Sequence, residues 1–185
     1  MCGISGIVGR LDQRNREALA RMHGALKHRG PDGEGVWETT PDARGWGAIL
    51  AHRRLAILDL SPAGAQPMTD AVTGETMVFN GEIYNYVALR DRLTAAGQRF
   101  ESSGDSQVML RALGLHGPDA LRWLRGMFAV ARWHPKTRRL LLARDPLGIK
   151  PLYVARPADP EAAGWSLAFA SEVRALVASG LLGTP

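Results

Sequence analysis

Residues 2 to 9 alternate small side chains with branched apolar ones (Ile4, Ile7, Val8). That two-residue period predicts a strand starting almost at the terminus. From Asn15 to Lys27 the period lengthens: Leu19, Met22 and Leu26 fall on one face of a predicted helix. "HRGPDGEG", from His28, breaks the pattern with Pro31 and three glycines and reads as a loop. "WGAILAHRRLAILDL", from Trp46, is apolar and β-prone, a strand and its exit, and "SPAGAQP" is a second loop. "ETMVFNGEIYN", from Glu75, predicts a strand running into a turn at Asn80-Gly81. Tyr86, Leu89 and Leu93 mark a second helix with Gly97 as its stop. "DSQVMLRALGLHG" predicts a third, ending at Gly114 or Gly117, and Asp119 to Leu124 a short fourth.

Four strand-like segments follow: "GMFAVARW", "RLLLARD", "PLYVAR" and "WSLAFAS". Their close spacing favours antiparallel hairpins. A last helix is expected from about Glu172 to Ser179. Because strands and helices come in blocks, the pattern predicts an α+β fold of antiparallel sheets with packed helices, not a doubly wound parallel sheet. No internal repeat or low-complexity segment is present. The ending "ASGLLGTP" is loop-like.

Composition adds bounds. A chain of 185 residues, 45% apolar and 22% charged, fits one globular domain with a hydrophobic core. The net charge of +5 comes mostly from scattered arginines. Its densest run, "ARWHPKTRR", reads as a hairpin tip, so no nucleic-acid partner is expected. No apolar run approaches the ~20 residues of a membrane span, and the terminus lacks the pattern of a signal peptide. A lone cysteine cannot form an internal disulfide. The expectation is a cytoplasmic protein with no membrane partner; a homodimer stays open.

Several motifs fail. Gly3, Gly6 and Gly9 do not have phosphate-loop spacing, and no strand precedes them; they read as close backbone packing. "SSGDSQ" lacks a glycine and the spacer of the S-G-G-x-D-S loop of ATP pyrophosphatases. The five histidines show no paired ligand spacing, so no metal site is expected.

Cys2 is different because of its position. Removal of Met1 would leave a thiol and a free α-amine on one residue. Their pKa values lie close together, at about 8.5 and about 8, so the amine can act as the thiol's general base. Such a nucleophile needs an oxyanion hole and a substrate pocket. A strand ending at Phe79 would present the Asn80 carboxamide and the Gly81 N–H together. The glycine would also let a substrate approach the backbone. A free amino acid needs a cation for its carboxylate, for which Arg53 and Arg54 are equal candidates, and acids for its ammonium, such as Glu82 and Asp105.

Taken in order, "MCGISGIVG", "HRGPDGEG", "AHRRLAILDLSPAGAQPM", "VFNGEIYNY", "SSGDSQV", "GMFAVARW", "ARDPLGIKPLY" and "FASEVRAL" resemble the N-terminal class II glutamine amidotransferase domain of glutamine-hydrolysing asparagine synthetases. The resemblance implies a four-layer αββα N-terminal-nucleophile hydrolase sandwich of two antiparallel sheets. It implies that Cys2 is the nucleophile, that Asn80 and Gly81 form the oxyanion hole, and that Arg54 takes the glutamine carboxylate. Leu55, Ala56, Ile57 and Leu58 would form the pocket wall, with Glu82 and Asp105 at the glutamine ammonium. "RGPD" and "ARDPLG" match family blocks taken as mainly structural. Ala56 departs from a common serine, and Gln107 from a common glutamate.

The implied domain spans residues 2–180, with 181–185 the start of a linker. The family's ATP-binding domain is absent from these residues. Glutamine hydrolysis to glutamate and ammonia is therefore the expected activity, with ATP and magnesium expected only in a synthetase domain, in cis or in trans, that amidates aspartate. The alternatives are an amidotransferase of the same branch with another carboxylate acceptor, or a non-catalytic glutamine-sensing module.

Overall fold

The first strand, β1 (Gly3–Arg10), is buried on both faces, and its two-residue period explains the layering of the whole molecule. Ile7 faces outward into a core under helices, whereas Ile4 and Val8 face inward between two sheets. The computed structural model describes residues 1–183. After β1 come α1 (Gln13–Ala25), β2 (Gly33–Glu38), β3 (Trp46–Arg54), β4 (Met68–Thr69), β5 (Thr76–Ile83) and α2 (Tyr86–Ala95). These are followed by α3 (Asp105–His116), β6 (Gly126–His134), β7 (Arg139–Arg144), β8 (Tyr153–Ala155), α4 (Pro160–Ala163), β9 (Trp165–Ala170) and α5 (Val173–Ala178).

The first sheet has the order β2-β3-β1-β9-β8 and the second β4-β5-β6-β7, every pairing antiparallel. Ile4, Leu50, Val78, Ala129, Ala131 and Phe169 fill the space between them. α1 and α5 cover the outer face of the first sheet over Leu19, Met22, Ile49 and Leu176. α2 and α3 cover the second over Leu93, Val108, Phe79 and Val130. The architecture is the expected αββα sandwich. The glycines of β1 serve close packing: a Cβ on Gly6 would collide with the Phe169 ring.

Local differences from the pattern have physical reasons. α1 starts two residues early because the Asp12 carboxylate caps it, accepting from Asn15 N at 2.9 Å. The expected loop at 28–35 contains the start of β2, an edge strand whose glycines hide its apolar alternation. α3 ends at Gly117, whose φ of 58° stops the helix. The expected fourth helix is a 3₁₀ segment, Gly117–Trp123. The four late strands form two hairpins in different sheets, β6-β7 and β8-β9, so the chain crosses the sandwich between them. Leu181 is buried in the outer core, so packed structure extends into the expected linker; residues 184 and 185 lie outside the described region. Among the described residues, no helix is long and apolar enough to cross a membrane.

The turn expected at Asn80-Gly81 is absent. β5 runs on to Ile83, paired with β6 through Ile83 and Gly126. Eight consecutive partners along β6 override a two-residue turn signal. The pairing itself requires a glycine at position 81. A Cβ there would run into the Met127 carbonyl and lie 2.7 Å from Phe128 Cα.

Candidate active site

Cys2 sits one residue before β1, the central strand of its sheet. Its carbonyl accepts from Arg29 Nε at 2.8 Å, and Arg29 is itself held by Glu172 at 2.8 Å. The thiol lies against the first residue after β3: Leu55 N–H donates to Sγ at 3.4 Å. Burial pushes the thiol pKa up, while the Leu55 contact, the chain's terminal ammonium, Arg54 and Arg29 pull it down without cancelling that effect. With Met1 ahead of it the Cys2 nitrogen is an amide and not a base, and only removal of Met1 would make it an amine.

Opposite Cys2, strand parity orients Asn80 and Gly81. Asn80 shares the face of Val78, which is turned toward the first sheet. Its side chain is buried, and its Nδ2 has no hydrogen-bond partner among the described residues. The Gly81 N–H points the other way from β6. Phe128, its register partner, spends its own N–H and C=O on Asp145, at 3.2 and 2.8 Å. The flanking odd residues show where that edge of β5 leads. Phe79 N donates to Gln66 Oε1 at 2.6 Å, and Ile83 N to Asp105 Oδ2 at 2.8 Å. Two side-chain acceptors thus replace a neighbouring strand and leave a gap at Gly81, which faces the cavity.

The acids and the wall complete the enclosure. Asp105 opens α3 and is 5% exposed; burial pushes its carboxyl pKa up, and the Ile83 N–H opposes that. Arg54 ends β3, and its guanidinium donates to the Ser61 carbonyl at 3.1 Å and to that of Asp59. Ala56 N donates to Asp32 Oδ2 at 2.9 Å, so "RGPD" braces the wall. The ten residues that the resemblance implies (Cys2, Arg54, Leu55, Ala56, Ile57, Leu58, Asn80, Gly81, Glu82 and Asp105) line one cavity of about 230 Å³; Arg53, the other candidate cation, is not among the lining residues and pairs with Glu34. Among the described residues, no cluster of three or more metal-ligating side chains is present.

Sequence reasoning missed the residues that hold this cavity in shape. Asp59 accepts from Ser102 Oγ and Ser61 Oγ at 2.6 Å and from Ser103 N at 2.8 Å. Those bonds hold its carboxyl well below the usual range. They also tie the wall to the loop that starts α3. An Asp-x-Ser spacing was its only local signal. Gln66 left none, because its partner Phe79 is 13 residues away in sequence. Lys150 and Met127 also line the cavity.

Two antiparallel sheets between helical layers, with the second residue of the chain at the head of the central strand, define the N-terminal-nucleophile hydrolase fold. The same fold occurs in glutamine phosphoribosylpyrophosphate amidotransferase from B. subtilis, in complex with ADP and GMP. That structure aligns with a TM-score of 0.73 at 20% identity, over 97% of this chain and 44% of that one. The chain belongs to the glutamine amidotransferase domain family, whose profile matches residues 1–184. It is 40% identical over 167 residues to a putative glutamine-hydrolysing asparagine synthetase of Mycobacterium tuberculosis, covering 84% of this chain and 25% of that protein. Against asparagine synthetase (glutamine-hydrolysing) 3 of Bacillus subtilis the identity is 36% over 182 residues, covering 96% and 28%. The chain spans about a quarter of the length of these relatives.

Proposed function

We propose that this chain is the glutaminase part of a glutamine-hydrolysing asparagine synthetase, with Cys2 as nucleophile once Met1 is removed. Glutamine enters as a zwitterion, its carboxylate at Arg54 and its ammonium at Glu82 and Asp105. The Cys2 α-amine takes the thiol proton, and sulfur attacks the side-chain amide carbon. Asn80 Nδ2–H and the Gly81 N–H stabilise the oxyanion, each such donor contributing about 3–4 kcal/mol to the barrier reduction. The α-ammonium returns its proton to the leaving nitrogen, the C–N bond breaks, and ammonia departs from a glutamyl thioester. Water, deprotonated by the same amine, attacks the thioester and expels the thiolate, which recovers the proton as glutamate leaves.

The observation that carries this reading is that Cys2, Asn80 and Gly81 line one cavity together with Arg54, Glu82 and Asp105, and that Asn80 Nδ2 has no partner among the described residues. Buried polar groups are normally paired, so an unpartnered carboxamide donor on a residue of the cavity wall suits an anionic ligand. The ammonia acceptor is proposed to be aspartate, after the names of the relatives. ATP and magnesium would act on it in a synthetase domain in cis or in trans, leaving this domain without a cofactor. Replacing Cys2 with alanine should abolish glutamate release from glutamine; an unchanged rate would overturn the assignment.

A further inference from the structure

Lys150 is 6% exposed and lines the same cavity. Its backbone N–H donates to Asp145 Oδ2 at 3.0 Å, which fixes the residue at the end of the turn after β7. Its ammonium forms no ion pair with any described residue. The polar contact recorded for it is the Met1 thioether, 3.4 Å from Nζ. A buried cation without a carboxylate is costly, and here it faces the site. Loss of Met1 removes even the sulfur. The α-amine that then appears on Cys2 lay five bonds from that sulfur, so it can be no more than about 10 Å from the ammonium.

We propose that Lys150 is a positioning residue for the protonation state of Cys2: its charge keeps the α-amine in the free-base form. The proposal rests on reading Cys2 as the processed N-terminal nucleophile. A neighbouring cation disfavours the ammonium and favours the thiolate, so both titrations of the coupled pair move downward together.

Arg54 and Arg29 also pull the Cys2 thiol down, but each has partners of its own, as Lys150 does not. Arg29 comes from the turn after α1, but its charge is met by Glu172, which also holds His28. Arg54 at the end of β3 is turned into the carbonyls of Asp59 and Ser61. Glu82 on β5 and Asp105 on α3 carry the opposite sign and work against the free base. Asp59, between β3 and β4, is bound to serines. His52 on β3 is buried, with its pKa pushed down to about 4, and carries no charge at neutral pH.

Cys2 is the only cysteine, so protein grown on carbon-13 cysteine gives one α-carbon and one β-carbon signal. Titrating those signals from about pH 5.5 to about pH 10 reads the amine and thiol without any turnover. Lys150→Met should raise the apparent pKa of the pair by about one unit, and Lys150→Arg should leave it within ~0.3 of the unsubstituted protein. The acid limb of kcat/KM should move up by the same amount in the methionine variant. Lys150→Gln, at the same position, gives a second reading should the methionine variant fold poorly. Coincident curves for the lysine and neutral-residue proteins would overturn the proposal, as would intact masses showing Met1 still attached in protein that hydrolyses glutamine. A protein whose amine shifts as stated but releases no glutamate would instead sink the glutaminase reading and leave the role of Lys150 standing.

Discussion

Mild acid should destabilise this protein through His52. The residue lies on the inner face of β3, fully buried, with Nε2 3.1 Å from the Phe79 carbonyl of the opposite sheet. The carbonyl can only accept, so the neutral ring carries its proton on Nε2. Nδ1 has no partner among the described residues. Burial pushes the pKa down to about 4 from an ordinary 6.5, with the carbonyl contact acting in the opposite sense. Below the ordinary value, the unfolded chain binds a proton that the native protein refuses. The contribution is complete above pH 6.5 and is lost as pH falls toward about 4. Integrated down to about pH 4.5, that mismatch removes about 2–3 kcal/mol, a large share of the stability of a domain this size. Urea unfolding followed by tryptophan fluorescence, repeated from about pH 7.5 to about pH 4.5, measures it. His52→Gln keeps a donor toward Phe79 but cannot titrate. Its stability should fall less over that range, by about 2–3 kcal/mol, whatever it loses at neutral pH. Comparing the two proteins cancels the titration of the acids, Asp105 with its raised pKa among them. Parallel curves for the histidine and glutamine proteins would refute the reasoning.

Other consequences follow from the same geometry. Asn80→Ala should lower kcat for glutamine hydrolysis by about 10²–10³ with little change in KM, in a steady-state glutamate assay. Asp59→Asn should raise KM more than it lowers kcat, because it loosens the bonds joining the Arg54 wall to the start of α3. Gly81→Ala should cost about 1–3 kcal/mol in urea unfolding, since the added methyl meets the Met127 carbonyl and Phe128 across the strand pair.

Much of the fold was legible because the apolar periods are regular. The even and odd positions of β1, β3, β5 and β6 separate cleanly into inner and outer cores, as a two-residue period requires. The missed strands were the short β4 and the glycine-interrupted β2, where few apolar side chains carry the pattern. In the site, residue types that carry chemistry themselves could be named from the sequence, and of those so named only Arg53 lies outside the cavity lining. Their supports could not. Gln66 acts through a bond to Phe79, and Asp59 through bonds to Ser102 and Ser103, 43 and 44 residues away. Tertiary pairing also reversed one local inference: Asn80-Gly81 resembles a turn but is held in a strand by β6.

The central claim, that Cys2 freed of Met1 is the nucleophile for glutamine, can be tested by mass spectrometry of protein treated with a diazoketone analogue of glutamine. The account predicts a single adduct on a peptide that begins at Cys2, blocked by excess glutamine and absent after Cys2→Ala. An adduct on any other residue, or an adduct formed equally well with Met1 still attached, would contradict it.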